Sequence, residues 1–418
     1  MKFTIVTYGT EGDTRPLAVL ARGLMDAGHR VRLLADASTL SSAYALGVPA
    51  TGLSGDIRQD LQPGEVLSAL VGDPEGVDGT ARAAARVVNP LVEGWMRQVL
   101  AAAEGSDAIL PSALAAFVGL SVAECLKVPA IGLGTIPLSP TSAFPSPFIR
   151  PGRVFRPFNR LSHKLVNERF WRGFAESTNA ARRRVCGLPP RIRSWRDHPM
   201  LYGISPGLVP RPADWPDTAR ICGQWVRPAG SWTPPPALDA FLSAGPPPVY
   251  IGFGSMAGIN PRLLTREVSR LARRYRIVFS PGWSGVDPAG LPESVFVIGE
   301  APHDRLFPRM SVVVHHGGAG TSHSAVRAGV PSVVVPFAVD NAFWADRLRR
   351  AGVAPAPVDV AQLDADRLDA AIAAAGRPEM RERAKALAAA MAAEDGVAAA
   401  VAAIEALTGA GRHLPYRH

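Results

Sequence analysis

Short apolar runs separated by helix-length segments constrain the fold of this 418-residue chain more than any other feature. In the first third of the chain the runs lie at residues 3–8, 31–35, 107–110 and 130–133. Between them apolar residues recur at helical spacing, as they do over residues 17–27. Strands that are separated by helices need crossover connections, which make the strands parallel. The pattern therefore predicts an α/β fold with a parallel sheet.

The alternation stops at a proline-rich stretch and then begins again. Residues 227–236 hold four prolines, and such a segment is stiff, extended and unable to pair in a central strand. Further apolar runs follow at residues 249–253, 277–280, 295–298, 312–315 and 332–336. We therefore predict two Rossmann-like domains, residues 1–226 and 237–396, joined by the linker 227–236. Residues 397–418 are predicted to form a helix and tail that pack back on the first domain.

The net charge of +9 leaves nucleic acid, anionic lipid and phosphorylated ligands open as partners. Residues 150–196 hold thirteen Lys and Arg against two acidic residues, so the rest of the chain is nearly neutral. This distribution argues against a nucleic-acid-binding protein. The same segment holds apolar residues such as Phe155 and Leu165, some at helical spacing. It is consistent either with an Arg-rich solvated face or with a helix that contacts an anionic membrane or an acidic acceptor.

The three cysteines lie far apart without a CxxC pair, which favours a reducing compartment and argues against disulfides or a zinc site. The first residues read as a buried strand rather than a signal peptide. We therefore expect a cytoplasmic protein, with peripheral membrane contact as the alternative, and the oligomeric state stays open. No metal site is expected, because Asp364 and Asp366 are predicted to lie on a solvated face.

The strongest candidate site is the run from His315 to Thr321, HHGGAGT, which follows an apolar strand and opens a helix. Glycines let backbone amides approach a ligand, and a helix N-terminus carries partial positive charge. The run therefore predicts a site for phosphate or diphosphate. The spacing matches neither the dinucleotide fingerprint nor the Walker loop, and a bland glycine-rich turn is the alternative.

Three further motifs follow predicted strands. Asp340 and Asn341 suit sugar hydroxyls, although an ordinary helix N-cap would look the same. Ser255, in the run GFGS, could donate to a phosphate. Asp13, in GTEGDTRP after the first strand, is either a helix cap or a general base at the carboxyl end of the sheet.

Together these motifs resemble the family 1 nucleotide-sugar-dependent glycosyltransferases of the GT-B fold, in which two Rossmann-like domains face each other across a cleft. The likeness is greatest to the bacterial natural-product and sterol glycosyltransferases. It covers nearly the whole chain and is most specific over residues 301–352. The resemblance implies an inverting hexosyltransferase that moves sugar from a UDP- or dTDP-sugar to a hydroxyl of a small lipophilic acceptor. It implies no cofactor and no metal.

The resemblance also implies a role for each matched residue. Asp13 would be the catalytic base. The donor diphosphate would be held by Ser255, His316, Gly318, Gly320 and Thr321, the donor sugar by Asp340 and Asn341, and the nucleobase by Ala301 and His303. The acceptor would be bound by the first domain, with residues 56–78 and 137–148 as candidate lining segments.

Three departures from the family pattern leave the donor open. Asn341 stands where Gln is usual, while Glu300 and Ser324 stand where plant members have Trp and Glu. Two other functions also remain: a sugar-nucleotide epimerase, which would need no acceptor, and a non-catalytic partner protein of the same fold, which should have lost Asp13.

Overall fold

The first parallel sheet is built from the N-terminal half of the chain. The structure, a computed structural model, describes residues 1–60, 77–227, 230, 232–254, 260–337 and 339–411. Its first four strands are β1 (Lys2–Val6), β2 (Arg30–Asp36), β3 (Ala50–Leu53) and β4 (Ala108–Pro111), in the order β3-β2-β1-β4. Three more, β5 (Gly132–Gly134), β6 (Met200–Tyr202) and β7 (Ala219–Ile221), follow in the order β5-β6-β7. Parallel bridges from Ile109 to Ala130 and from Ser112 to Leu133 join β4 to the segment of β5.

A second parallel sheet follows in the C-terminal half. Its strands are β8 (Val249–Gly252), β9 (Ile277–Ser280), β10 (Val295–Val297), β11 (Val312–His315) and β12 (Ser332–Val334), in the order β10-β9-β8-β11-β12. Both faces of this sheet are buried: Val312 and Val314 join one apolar cluster and Val313 joins the other. This is why the strands are continuous apolar runs in the sequence.

The helices connect the strands and cover the sheets. In chain order they are α1 (Glu11–Asp26), α2 (Ser41–Ala45), α3 (Ile57–Asp60), α4 (Val77–Val88), α5 (Val92–Ala102), α6 (Ala116–Leu126), α7 (Asn159–Cys186), α8 (Pro236–Ser243), α9 (Pro261–Leu271), α10 (His303–Leu306), α11 (Ala319–Arg327), α12 (Asn341–Arg350), α13 (Ala365–Ala375), α14 (Pro378–Ala392) and α15 (Gly396–Gly411). The predicted α/β class with parallel strands is confirmed. The exact domain limits stay a prediction.

Helix α1 begins earlier than the apolar spacing predicts. The spacing indicates a helix from residue 17, whereas α1 begins at Glu11, with Thr10 as its N-cap. Residues 11–16 are polar and include Gly12 and Pro16, so their pattern is typical of a loop. A capping box between Thr10 and Asp13 nevertheless starts the helix there and puts Pro16 beyond its first turn.

The last two helices pack on different parts of the chain. Helix α14 packs on α11, whereas α15 adds Ala400, Val401 and Ile404 to the apolar cluster that α1 forms with the first sheet. No single helix among the described residues is long and apolar enough to cross a membrane. Residues 378–392 and 396–409 pass that test only as a pair bent by 42°.

The strand order reverses once in each sheet, between β1 and β4 and between β8 and β11. Ligands of open α/β sheets bind at such switch points, beyond the carboxyl ends of the strands. The predicted site motifs follow β1, β8, β10, β11 and β12, so the topology places them beyond the carboxyl ends of the strands, on the side of the switch points.

Candidate active site

The glycine-rich run between β11 and α11 leaves the first turn of a helix open. Gly317 has a positive φ of 93°, and a Cβ there would lie 2.8 Å from Val334 Cγ1. Gly318 is the N-cap of α11 and offers no side chain to the first-turn amides. Gly320 and Thr321 lie in that first turn. The first-turn amides and the helix dipole are therefore suited to bind an anion, and the predicted diphosphate site stays a prediction.

His316 forms one wall of this site. A Cβ on Gly318 would lie 2.4 Å from His316 Nε2, and one on Gly254 would lie 3.3 Å from its Cε1, so the ring packs between the two glycines. Burial lowers the pKa of His316 to about 4, so the imidazole is neutral at pH 7. Its Nδ1 is buried without a partner among the described residues. A neutral ring can still donate one hydrogen bond to an anion.

His315, the last residue of β11, holds the glycine-rich loop through a hydrogen bond. Its side chain is fully buried, and its Nδ1 accepts a hydrogen bond of 3.1 Å from the Gly317 amide. Burial holds the pKa of His315 well below its ordinary value, so Nδ1 stays an acceptor. The sequence motif contains both histidines. Only the structure shows that His315 holds the loop, whereas His316 packs between Gly254 and Gly318.

His303 and Ala301 lie at the start of α10. His303 begins α10, and its ring stacks on Phe307 with centroids 4.2 Å apart. Burial lowers the pKa of His303 to about 4, and the positive charge of Arg15 contributes; the ring of His316 is near enough for its charge, when protonated, to lower this pKa further. Ala301 packs against the apolar cluster beneath α10. The turn predicted to bind the nucleobase thus lies within electrostatic range of His316. Ser255 lies outside the described residues.

Asp13 is the third residue of α1 and takes part in its capping box. Its Oδ2 accepts hydrogen bonds from the Thr10 amide (2.9 Å) and hydroxyl (3.4 Å). A Cβ on Gly9 would lie 2.3 Å from this oxygen, so a larger residue there would displace the Asp13 carboxylate. Burial raises the pKa of Asp13 to about 6. The capping interpretation is therefore correct for Oδ2, but Oδ1 has no partner among the described residues.

Asp340 is buried just before α12, and Asn341 is the first residue of that helix. Asp340 does not cap the helix, since its side chain makes no capping hydrogen bond; its Oδ2 accepts one of 2.7 Å from the Trp344 indole. Asn341 Oδ1 accepts one of 3.3 Å from the Phe337 amide, and its carbonyl lies under Gly317. The pair therefore adjoins the glycine-rich loop.

Asp13 and Asp340, one from each half of the chain, interact electrostatically. Burial raises the pKa of Asp340 to about 6, and the negative charge of Asp13 adds to the shift. A like charge raises the pKa of a nearby carboxyl group. The two carboxylates are thus within electrostatic range of each other, and Asn341, the neighbour of Asp340, adjoins the glycine-rich loop.

No group of three or more His, Cys, Asp or Glu in the described part of the chain is placed to hold a metal ion. Asp364 is the N-cap of α13, where it accepts a hydrogen bond from the Arg367 amide. Asp366 is largely exposed and pairs with Arg270. These two acids have surface roles.

Comparisons with known proteins identify the family of the chain. Residues 275–407 match the family described as "Erythromycin biosynthesis protein CIII-like, C-terminal domain". Over 99% of its length the chain is 33% identical to the sterol 3-beta-glucosyltransferase UGT80B1 of Arabidopsis thaliana, 68% of which is covered. The chain belongs to the family 1 glycosyltransferases. A sterol 3-beta-glucosyltransferase of Yarrowia lipolytica is 34% identical over 84% of this glycosyltransferase.

This glycosyltransferase covers only 25% of the Yarrowia protein, so it spans between a quarter and two thirds of the length of these curated relatives. Among solved structures, the spinosyn rhamnosyltransferase SpnG superposes with a TM-score of 0.68 at 20% identity, covering 97% of this chain and 100% of SpnG. SpnG complexed with thymidine diphosphate gives 0.65 at 19% identity, with 97% and 100% covered. These likenesses confirm the GT-B fold.

The sequence analysis assigns no role to two residues of this glycosyltransferase, His323 and Trp344. His323 is buried at the contact between the two halves: its Nε2 accepts a hydrogen bond of 3.0 Å from the Ser205 amide, and its Nδ1 donates to the Ala319 carbonyl at 2.7 Å. Its ring packs edge-on against Trp344, the residue that holds Asp340, with centroids 5.0 Å apart. A histidine and a tryptophan on apolar helix faces look like ordinary core residues, so no sequence signal singles them out.

Proposed function

We propose that this glycosyltransferase is an inverting enzyme that moves a hexose from a UDP- or dTDP-sugar to a hydroxyl of a small lipophilic acceptor. The proposal rests above all on two carboxylates with raised pKa values, Asp13 and Asp340, that interact electrostatically, and on the open first turn of α11. The acceptor class follows the names of the relatives, which are sterol glucosyltransferases and a rhamnosyltransferase of spinosyn. The thymidine diphosphate complex of SpnG supports a nucleoside diphosphate sugar as donor.

Asp13 is proposed as the general base. Thr10 occupies Oδ2, which leaves Oδ1 for the acceptor hydroxyl. With a pKa of about 6, Asp13 is ionised at pH 7 yet binds a proton more readily than an exposed carboxylate. Asp13 takes the hydroxyl proton while the acceptor oxygen bonds to the anomeric carbon and the bond from that carbon to the diphosphate oxygen breaks. Attack opposite the leaving group inverts the anomeric centre.

The leaving diphosphate gains negative charge in this step, and the start of α11 is suited to stabilise it. The first-turn amides, Thr321 and the neutral ring of His316 are proposed as its donors. Ser255 is proposed to contribute from the facing loop. We propose that this donor set takes the place of a metal ion.

Asp340 and Asn341 are proposed to bind hydroxyls of the donor sugar. The Trp344 indole fixes one oxygen of Asp340, so the carboxylate has a set orientation. Ala301 and His303 are proposed to contact the nucleobase; the stacking of His303 on Phe307 keeps that ring in place.

The test is acceptor-dependent release of nucleoside diphosphate. The protein is incubated with UDP-glucose or dTDP-glucose, with and without a sterol or polyketide alcohol, and mass spectrometry follows the products. Asp13→Asn should lower turnover by about 10²–10⁴-fold, because it removes the base, with donor affinity unchanged. Asp26→Asn, at the other end of α1, is the matched control. Near-full turnover by Asp13→Asn would limit Asp13 to its capping role.

The same assay separates the two other functions. An epimerase would convert the sugar nucleotide without any acceptor, and that product would replace the proposal. A non-catalytic partner protein would release no diphosphate with any acceptor tested while still binding the donor. The presence of Asp13 in a shaped site favours the transferase over the partner protein.

A further inference from the structure

Four large apolar side chains project into solvent along one short stretch of the acceptor half. Phe155 is 79% exposed, Phe158 57%, Leu161 47% and Leu165 57%. These four residues are the apolar stripe. Single exposed apolar side chains are ordinary, but four within eleven residues form a contiguous patch, which marks an interaction surface.

Local structure puts three of the four stripe residues on one face. Phe155 is the extended N-cap residue of a 3₁₀ turn over Arg156–Phe158 that leads directly into α7, and Phe158, Leu161 and Leu165 follow each other at intervals of three and four. Such intervals bring side chains to the same side of a helix. The opposite side of α7 is buried through Ser162, His163 and Val166. The stripe thus lies on the solvent-exposed side at the start of α7.

Basic side chains flank the stripe. Arg153, Arg156, Arg160 and Lys164, the basic flank, are all exposed, and none forms an ion pair with a described residue. No Asp or Glu occurs between residues 150 and 167.

The rest of the basic segment is different. Five of its eight arginines after residue 168 form ion pairs: Arg169 with Asp78, Arg182 and Arg191 with Glu124, Arg184 with Glu93 and Arg196 with Glu168. Much of the positive charge after residue 168 is therefore neutralised within the fold. The basic flank keeps its charge unpaired, beside the stripe.

We propose that the apolar stripe and the basic flank dock this protein on the surface of an anionic lipid bilayer. Apolar side chains would enter the interface while Arg and Lys contact the headgroups. A second copy of the chain is disfavoured as the occupant, because a two-fold contact would bring each basic flank against its own copy. Charge complementarity selects an anionic surface.

Docking would also deliver the acceptor. The buried face of α7 holds the predicted acceptor segment 137–148: Asn159 donates to the Ser142 carbonyl at 2.9 Å, and Ser162 accepts from the Ser146 amide at 2.9 Å. Those contacts would place the segment beside the bilayer, where a lipophilic alcohol dissolves. This second step rests on the proposed function; the docking itself does not.

The test is co-sedimentation with vesicles of phosphatidylcholine that contain either no phosphatidylglycerol or about 30 mol% of it. We expect binding to the anionic vesicles at about 50 mM NaCl and a marked loss at about 300 mM. Phe155→Ser/Phe158→Ser should bind about tenfold more weakly or worse, and Arg156→Gln and Arg160→Gln about fivefold more weakly each. All four side chains are exposed, so circular dichroism should be unchanged.

Tyr44→Ser and Arg262→Gln are the matched controls, since both side chains are exposed and lie outside α7. They should bind within about twofold of the wild type. No binding by the wild type at low salt, equal binding to neutral vesicles, or unchanged binding by Phe155→Ser/Phe158→Ser would overturn the proposal. So would a wild-type dimer in sedimentation velocity that this double variant abolishes.

An activity comparison tests delivery separately. With acceptor presented in anionic vesicles, Phe155→Ser/Phe158→Ser should transfer sugar several-fold more slowly than the wild type, whereas with acceptor in detergent the two should match. Equal rates in both formats would overturn delivery. Failure of all transfer with intact vesicle binding would instead overturn the proposed function.

Discussion

Replacing Asp13 by Asn should stabilise the fold at neutral pH while it removes the proposed base. Burial raises the pKa of Asp13 from 3.8 to about 6, which means that the folded protein disfavours the ionised carboxylate. A shift of that size corresponds to about 3 kcal/mol, and the partial exposure of the side chain reduces the expected gain to about 1–3 kcal/mol. Asn keeps an oxygen that can accept from the Thr10 amide, so the capping contact survives.

The gain must depend on pH with a definite sign. The pKa of Asp13 is higher in the folded than in the unfolded chain, so the cost of its charge is present in full above the folded pKa of about 6. That cost falls as the pH drops toward the unfolded value, because the carboxyl group becomes protonated in the folded state. The stability difference between Asp13→Asn and wild type should therefore shrink between pH 7 and about pH 4.

Urea unfolding of both proteins across that pH range, followed by tryptophan fluorescence, measures the difference directly. Asp13→Ala is the control, because it removes both the charge and the capping oxygen and should be about 1 kcal/mol less stable than Asp13→Asn. The burial argument would be refuted if Asp13→Asn were less stable than wild type at pH 7, or if the difference in their free energies of unfolding did not change with pH. The acid limb of the pH–rate profile should fall with the same pKa, since protonated Asp13 cannot accept a proton.

Three other perturbations test the rest of the site. His316→Ala should weaken binding of UDP or dTDP by about 10–100-fold in calorimetry, because it removes a donor to a charged group; unchanged affinity would exclude that contact. His323→Leu leaves the buried Ser205 amide without its acceptor, which should cost about 1–3 kcal/mol, and it should raise the donor KM because Trp344 loses its support. His163→Leu, the matched control, should lose stability without the KM effect, since His163 bonds only within the acceptor half. A chelator should leave the transfer rate unchanged, and a loss restored by a divalent cation would contradict metal-independent stabilisation.

Much of the fold was predictable because parallel strands are buried on both faces. The run 312–315 is apolar at every position before His315, and β11 has those same limits. The glycine-rich loop was predictable for a related reason, since a backbone that turns with a positive φ at Gly317 and closes against Val334 excludes other residues. Both signals are local, so a single sequence carries them.

The start of α1 was not predictable from apolar spacing. Capping depends on two polar side chains three residues apart, and in GTEGDTRP the same residues are typical of a loop. For Asp13 the sequence offered a cap and a base as alternatives. In the structure Oδ2 is committed to the cap and Oδ1 is not, so one carboxylate can serve both roles.

The relation of Asp13 to Asp340 lies beyond any local signal, because 326 intervening residues separate them in the sequence. Their electrostatic interaction depends on how the two halves pack, and the halves contact each other through apolar residues such as Tyr202 and Phe343, which carry no chemical signature. His323 and Trp344 then transmit the packing to Asp340: one accepts the Ser205 amide across the contact, and the other holds the carboxylate. The orientation of Asp340, the residue proposed to bind the donor sugar, is therefore set by the contact between the halves. A change in that contact should alter donor binding more than it alters proton acceptance by Asp13.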